Sequence, residues 1–126
     1  MTKEIPTKVE HKVQISFSIR LDNRIYFVLA ETIAFIYLEK ETVYLVDFNG
    51  DKHIIAKTVT SLESAVSPNQ FYRINRQMIV NRKAIKEIES YCNQRIVVQL
   101  TVPTPEPAIV SRLKVTPFLN WVENGK

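Results

Sequence analysis

Apolar residues alternate with polar ones from Val13 to Arg20, with Val13, Ile15, Phe17 and Ile19 on one side of the period and Gln14, Ser16, Ser18 and Arg20 on the other. A period of two sets one face on a core and the other in water, so this segment predicts a strand. Asp22-Asn23 predicts a turn, and Ile25–Leu29 a returning strand. Ile33–Leu38 and Thr42–Phe48 are rich in aromatic and β-branched residues and predict two more strands, joined by the polar loop Glu39-Lys40-Glu41. Asn49-Gly50 fits a two-residue type I′ hairpin turn, with φ positive at both positions, and Lys52–Ala56 is the strand that returns from it.

Thr60-Ser61-Leu62-Glu63 has capping-box spacing, and Leu62, Ala65 and Val66 give a short apolar helical face that ends at Ser67-Pro68-Asn69. The segment Phe71–Asn81 follows no single period. Strands are expected at Ala84–Glu89, Arg95–Val102 and Ile109-Val110, with a turn at Cys92-Asn93 and a loop through Pro103, Pro105 and Pro107. Thr116-Pro117 suits a helix start, with Thr116 as N-cap and Phe118, Trp121 and Val122 on one face. Eight or nine short strands and two short helices, without βαβ alternation, predict a mainly β fold. Residues 1–12 are polar and charged and are expected to be a linker, and 124–126 a tail.

Composition removes several functions. The 126 residues contain two glycines, Gly50 and Gly125, so neither a G-x-G-x-x-G turn nor a P-loop exists. A single cysteine, Cys92, excludes an internal disulfide and a multi-thiolate zinc site, and fits a reducing compartment. His11 and His53 have no ligand partner at metal spacing and are expected to be structural or solvent-exposed, so no metal or cofactor is expected. Cys92 has no nearby histidine to activate it, and Lys40 between Glu39 and Glu41 favours a solvated loop over an acid–base pair. The chain is expected to be non-catalytic. It has no signal peptide or spanning-length apolar stretch, and is expected to be soluble and cytoplasmic.

The net charge of +4 acquires a location. Arg73, Arg76, Arg82 and Lys83 lie within eleven residues that hold no acid. Extended to Arg95, the segment has six basic residues against two acids, an excess equal to that of the whole chain. Asn75, Gln77 and Asn81 are interleaved. Arginine can grip guanine O6 and N7, asparagine or glutamine can pair with adenine, and lysine neutralises phosphate. The same cluster is equally a solvated basic face around a buried strand. Ser111-Arg112, with Lys114 following, leaves the strand Ile109-Val110 as a second basic point.

Phe71-Tyr72-Arg73-Ile74-Asn75-Arg76-Gln77-Met78-Ile79-Val80-Asn81 resembles the signature of the LytTR (LytR/AlgR-type) DNA-binding domain, roughly F-x-R-x-H-R-S-x-x-V-N. Ile33–Glu39 looks like the family's I-x-Y-I-E strand, Asn49–Lys52 followed by Ser61-Leu62-Glu63 like its D-G-K … S-L-x-x-L-E region, and Val110-Ser111-Arg112 like its terminal V-S-R. The resemblance spans about residues 13–123. It implies an elongated arrangement of small, mostly antiparallel sheets with two or three short helices. Such a domain holds double-stranded promoter DNA through loops in successive major grooves. Arg76 matches the exposed position of H-R-S and is expected to read a base edge, and Arg112 to be the second anchor, with Ser111 and Lys114 beside it. Asn75 stands where the family often has His and Gln77 where it often has Ser; both keep hydrogen-bonding capacity. The resemblance implies that the loop after the I-E strand, here Lys40, Glu41 and Thr42, is also used on DNA, with Lys40 and Thr42 as its candidate contacts. Arg73, Val80 and Asn81 match family positions that serve structure or DNA, and Lys83 extends the cluster.

The resemblance also implies partners: a receiver domain, which residues 1–12 cannot contain, a cognate sensor histidine kinase, and a second copy of the domain on repeated DNA sites. The chain is therefore expected to be the effector half of a longer protein, or else a stand-alone version. A basic β module for acidic protein or membrane surfaces is the alternative, and a small hydrolase built on Glu39/Glu41 or Cys92 a more distant one.

Overall fold

Ile33–Tyr37 contains no charged residue, and every one of its side chains is buried. A strand needs such a run only when both of its faces are covered. In the computed structural model, which describes residues 14–124, this strand is the middle of a five-stranded antiparallel sheet. The expectations for the 1–12 linker, His11, Val13 and the last two residues of the tail lie outside the described residues.

The strands are β1 Ser16–Leu21, β2 Arg24–Leu29, β3 Ile33–Glu39, β4 Thr42–Asp47, β5 Lys52–Ile55, β6 Phe71–Asn75, β7 Met78–Asn81, β8 Ile85–Tyr91, β9 Arg95–Leu100 and β10 Ala108–Val110. Helix α1 spans Val59–Ala65 and α2 spans Val115–Asn124. Single 3-10 turns occupy Ala30–Thr32, Arg82–Ala84 and Arg112–Lys114. The central sheet has the order β5-β4-β3-β7-β6. The hairpin β1-β2 and the three-stranded sheet β10-β9-β8 are separate, and every pairing is antiparallel.

Two apolar cores lie on opposite faces of the central sheet. Phe17, Ile19 and Val28 from the hairpin and Val59 and Leu62 from α1 pack with Ile33, Ile36 and Leu45. Val98, Val110 and Phe118 pack with Phe35, Val46, Ile74 and Val80 on the other face. The β3–β4 register shifts between Ile33 and Phe35, which breaks strict alternation and sends Ala34, Phe35 and Tyr37 to the second core. Each fully buried Ile or Phe contributes about 1.5–3 kcal/mol, so both faces contribute to stability.

The mainly β, antiparallel architecture agrees with the sequence pattern. The differences are local. The segment without a period, Phe71–Asn81, is the hairpin β6-β7, which brings the described strands to ten. Asn49-Gly50 is not a type I′ turn, because Gly50 alone of the pair has positive φ, at 87°. Gly50 N–H donates to Asp47 O at 2.9 Å and Asp47 N–H to Asp51 O at 3.0 Å, so Phe48, Asn49 and Gly50 form a three-residue loop. Asp47 Oδ1 accepts from the N–H groups of Asn49 and Asp51 and competes successfully for the turn. Helix α1 begins earlier than its capping-box spacing predicts, because the Thr58 side chain accepts from Ser61 N–H. Its buried face is Val59, Leu62 and Val66, with Ala65 exposed. Helix α2 follows a 3-10 turn, so Thr116 lies inside its first turn, and Pro117 falls where a backbone N–H has no helical partner.

Candidate nucleic-acid interface

Short strands leave their turns close to the core, and hydrogen bonds fix the turn Arg76-Gln77 between β6 and β7. The Asn75 carboxamide oxygen accepts from Gln77 N–H at 2.8 Å. Its amide Nδ2 donates to Ile109 O at 2.7 Å. Arg73 lies beneath the turn and donates to Arg76 O at 2.7 Å and Asn75 O at 3.3 Å. Its remaining terminal nitrogen reaches Thr60 Oγ1 at 3.0 Å and Glu63 Oε1 at 3.1 Å on α1. Leu38 N–H donates to Gln77 O at 2.9 Å and ties the turn to β3. The Arg76 side chain leaves this braced backbone into solvent.

The second turn is bonded to the first. Ser111 N–H donates to Ile74 O at 2.9 Å, Lys114 N–H to Ser111 O at 2.8 Å, and Lys114 Nζ to Arg73 O at 3.1 Å. Arg112 and Leu113 are exposed between these attachments. Among the described residues, neither Arg76 nor Arg112 has a side-chain hydrogen bond or ion pair. The pairing of Tyr37 with Met78 and of Glu39 with Thr42 puts the turn Lys40-Glu41 at the same sheet edge, with Lys40 at φ 58°. Val43 pairs with Ile55, so Lys57 emerges there as well, in a groove it shares with Glu41, Thr42 and Thr58. Lys57 was not among the residues expected from sequence; the β4–β5 pairing was the signal that locates it. Behind this edge, Tyr37 has its pKa raised by burial, then by the charges of Glu106 and Glu39.

One edge therefore collects Lys40, Thr42, Asn75, Arg76, Gln77, Ser111, Arg112 and Lys114. It does not collect Asn81 and Lys83, which the sequence groups with Arg76 as candidate DNA-binding residues. Asn81 ends β7 at the far edge, roughly 10 Å along the strand from Met78 at about 3.3 Å per residue. It has 0% exposure. Its Nδ2 donates to Ile33 O at 2.8 Å, and its Oδ1 accepts from Gln70 Nε2 at 2.7 Å and Lys83 N–H at 2.9 Å. Lys83 is exposed at that far edge. Asn75 and Lys114 are on the right edge, but their polar groups brace the two turns.

The basic cluster of the sequence is thus divided in space. Arg82 donates to Asn69 O at 3.0 Å and Trp121 O at 2.7 Å, with its guanidinium carbon 3.7 Å from the centre of a Trp121 ring. Burial lowers its pKa from the ordinary value. It fastens α2 to the β7–β8 connection. Arg95 is at the β8–β9 turn, over the ring of Tyr91.

The enzyme candidates are not gathered into a site. Cys92 is exposed beside Arg95, and Glu41 lies on an exposed turn. His53 bridges Tyr26 and Asp47: Nε2–H donates to Asp47 Oδ2 at 3.0 Å, and Nδ1 accepts from the Tyr26 hydroxyl at 2.8 Å in the neutral tautomer. Among the described residues, no group of three His, Cys, Asp or Glu is placed to hold a metal ion. No helix among them is long and apolar enough to cross a membrane.

Comparison with known proteins gives two findings. A family model described as the LytTr DNA-binding domain matches residues 23–123. The fold is similar to that of the LytTr DNA-binding domain of a Bacillus cereus protein described as a methyl-accepting/DNA response regulator, with a TM-score of 0.71 and 15% identity over 85% of this chain and 95% of that one. The comparison with curated proteins gives no match.

Proposed function

The chain belongs to the LytTR DNA-binding domain family, and from that premise we propose that it is the sequence-specific, double-stranded DNA-binding part of a transcription regulator. Turns read the major groove in place of a recognition helix. Helix α1 has seven residues, and α2 turns Phe118 and Trp121 toward Tyr72, so neither helix offers a basic reading face. The observation that carries this reading is the pair Arg76 and Arg112: two exposed guanidinium groups on backbones bonded to each other and to the sheet. A fixed backbone lowers the ordering cost of binding and aims each fork at a base edge. Gln77 lies beside Arg76 as a partner for adenine, and Lys40 and Lys57 are placed for phosphates. The Bacillus cereus domain's description as part of a response regulator supports a receiver domain as a partner, and the proposal extends to a sensor kinase and to a second copy on repeated sites.

Fluorescence anisotropy on duplexes selected from a random pool tests this. Selected duplexes should bind more tightly than random ones, with affinity falling as salt rises. Arg76→Ala and Arg112→Ala should each cost about 1–3 kcal/mol on the selected duplex, with the melting temperature unchanged. Equal affinity for selected and random duplexes, with equal binding to anionic vesicles, would overturn the proposal in favour of a general acidic-surface module.

A further inference from the structure

Leu113 is 87% exposed, more than any other exposed large hydrophobic residue among those described. Other exposed apolar side chains, Ile25, Phe27 and Ile54, belong to β2 and β5. Leu113 instead stands between Arg112 and Lys114, on the edge that carries Arg76. The turn cannot tuck it inward, because Ser111 N–H is bonded to Ile74 O, Lys114 N–H to Ser111 O and Lys114 Nζ to Arg73 O.

An apolar group flanked by two cationic residues is poorly suited to an apolar protein face, which would bury those cations. It suits a polyanion that presents a small apolar group within its charged surface. The major groove of DNA does this with the C5 methyl of thymine. Arg112 and Leu113 are both exposed in one 3-10 turn, where about 3.0 residues per turn fan successive side chains apart. The two side chains can therefore address different base pairs of one groove. We propose that Leu113 is a specificity-determining residue that contacts a thymine methyl in the major groove read by Arg112. The inference rests on the major-groove reading above and deepens it, adding a preference for thymine that neither arginine can supply.

The test uses the chain as it stands and a duplex selected with it from a random pool. Each thymine is replaced in turn by deoxyuridine, which removes the methyl and keeps every hydrogen-bonding group. At one or two positions this should weaken the native protein about threefold to tenfold, the scale of one buried methyl group. Leu113→Ala should bind the unmodified duplex more weakly by a similar factor and be indifferent to deoxyuridine at that position. Leu113→Met, still apolar, should keep the sensitivity. The side chain makes little contact with the fold, so the melting temperature should not move in either variant.

If no thymine distinguishes the native protein from Leu113→Ala, the inference is overturned; if Arg112→Ala still weakens the selected duplex, the major-groove reading survives it. If no duplex is selected above random, both fall together. Loss of binding to phosphatidylserine vesicles in Leu113→Ala, with duplex affinity intact, would overturn it in favour of a membrane contact.

Discussion

Asp47 shows how one carboxylate can set a loop that a dipeptide was expected to set. Its Oδ1 accepts two backbone N–H groups and its Oδ2 accepts from His53, whose other ring nitrogen holds Tyr26 on the hairpin β1-β2. Burial works to raise the pKa of Asp47. The hydrogen bonds from His53, Asp51 and Asn49 outweigh it and hold the carboxyl below its ordinary 3.8. A lowered folded-state value means the ionised form favours the native state. That contribution is complete above the ordinary value and is lost as pH falls through the lower folded one. Asp47→Asn should therefore lower stability by about 1–3 kcal/mol at neutral pH in urea unfolding, and the deficit should shrink below the ordinary carboxylate range, where the native Asp47 is itself protonated. A deficit that is constant with pH would show that the ionised form contributes nothing. The residue scale was also the least legible in the sequence. Asn75, Gln77 and Asn81 have the same amide chemistry, and only an account of which backbone groups need partners separates Asn81, which satisfies Ile33, from Gln77, which remains exposed.

At the scale of elements, the hairpin β6-β7 explains why its own sequence has no clear period. Its strands have five and four residues, and its register shifts between Arg73 and Asn75. Arg73 and Asn75 occupy strand positions that alternation reserves for core or solvent, yet both point at backbone carbonyls. The longer strands β1, β3 and β9 were legible because packing alone decides their side chains. The start of α1 was not, since Thr58 and Thr60 are chemically equal as caps and the chain direction after β5 selects the first. Arg73 is where a sequence motif for DNA and a need of the fold meet. Its ion pair with Glu63 is half exposed on the acid side and contributes little. Its bonds to Arg76 O and Asn75 O are the stronger tie. Glu63→Gln should leave stability within about 1 kcal/mol, whereas Arg73→Ala should cost about 1–3 kcal/mol and weaken DNA binding by loosening the turn. Urea unfolding and anisotropy on the same selected duplex measure both; equal effects of the two substitutions would place the value of Arg73 in the ion pair instead.

For the whole molecule, the central sheet acts as a divider of charge. Because both faces of its central strand β3 are buried, the polar side chains next to it leave the sheet at the strand ends, and the strand directions decide which end each one takes. Linear sequence placed the charge excess in one segment from Arg73 to Arg95, but β6 and β7 carry Arg76 to one end and Lys83 to the other, while Arg82 is used against Trp121. Chain-distant Lys40, Lys57 and Arg112 arrive at the Arg76 end in exchange. The net charge was legible in the sequence, and its distribution was not, because pairing between distant segments sets it. This division predicts unequal roles for two exposed lysines. Each phosphate neutralised contributes about 0.9 to the slope of log affinity against log salt. Lys57→Ala should reduce that slope by about 1 without changing the ranking of duplex sequences, because a phosphate contact carries no base information. Lys83→Ala, at the far end, should leave both slope and ranking unchanged. Anisotropy titrations across a salt series separate the two. A slope that falls equally for both lysines would mean that DNA wraps both ends of the sheet, and the single-edge interface would have to be given up.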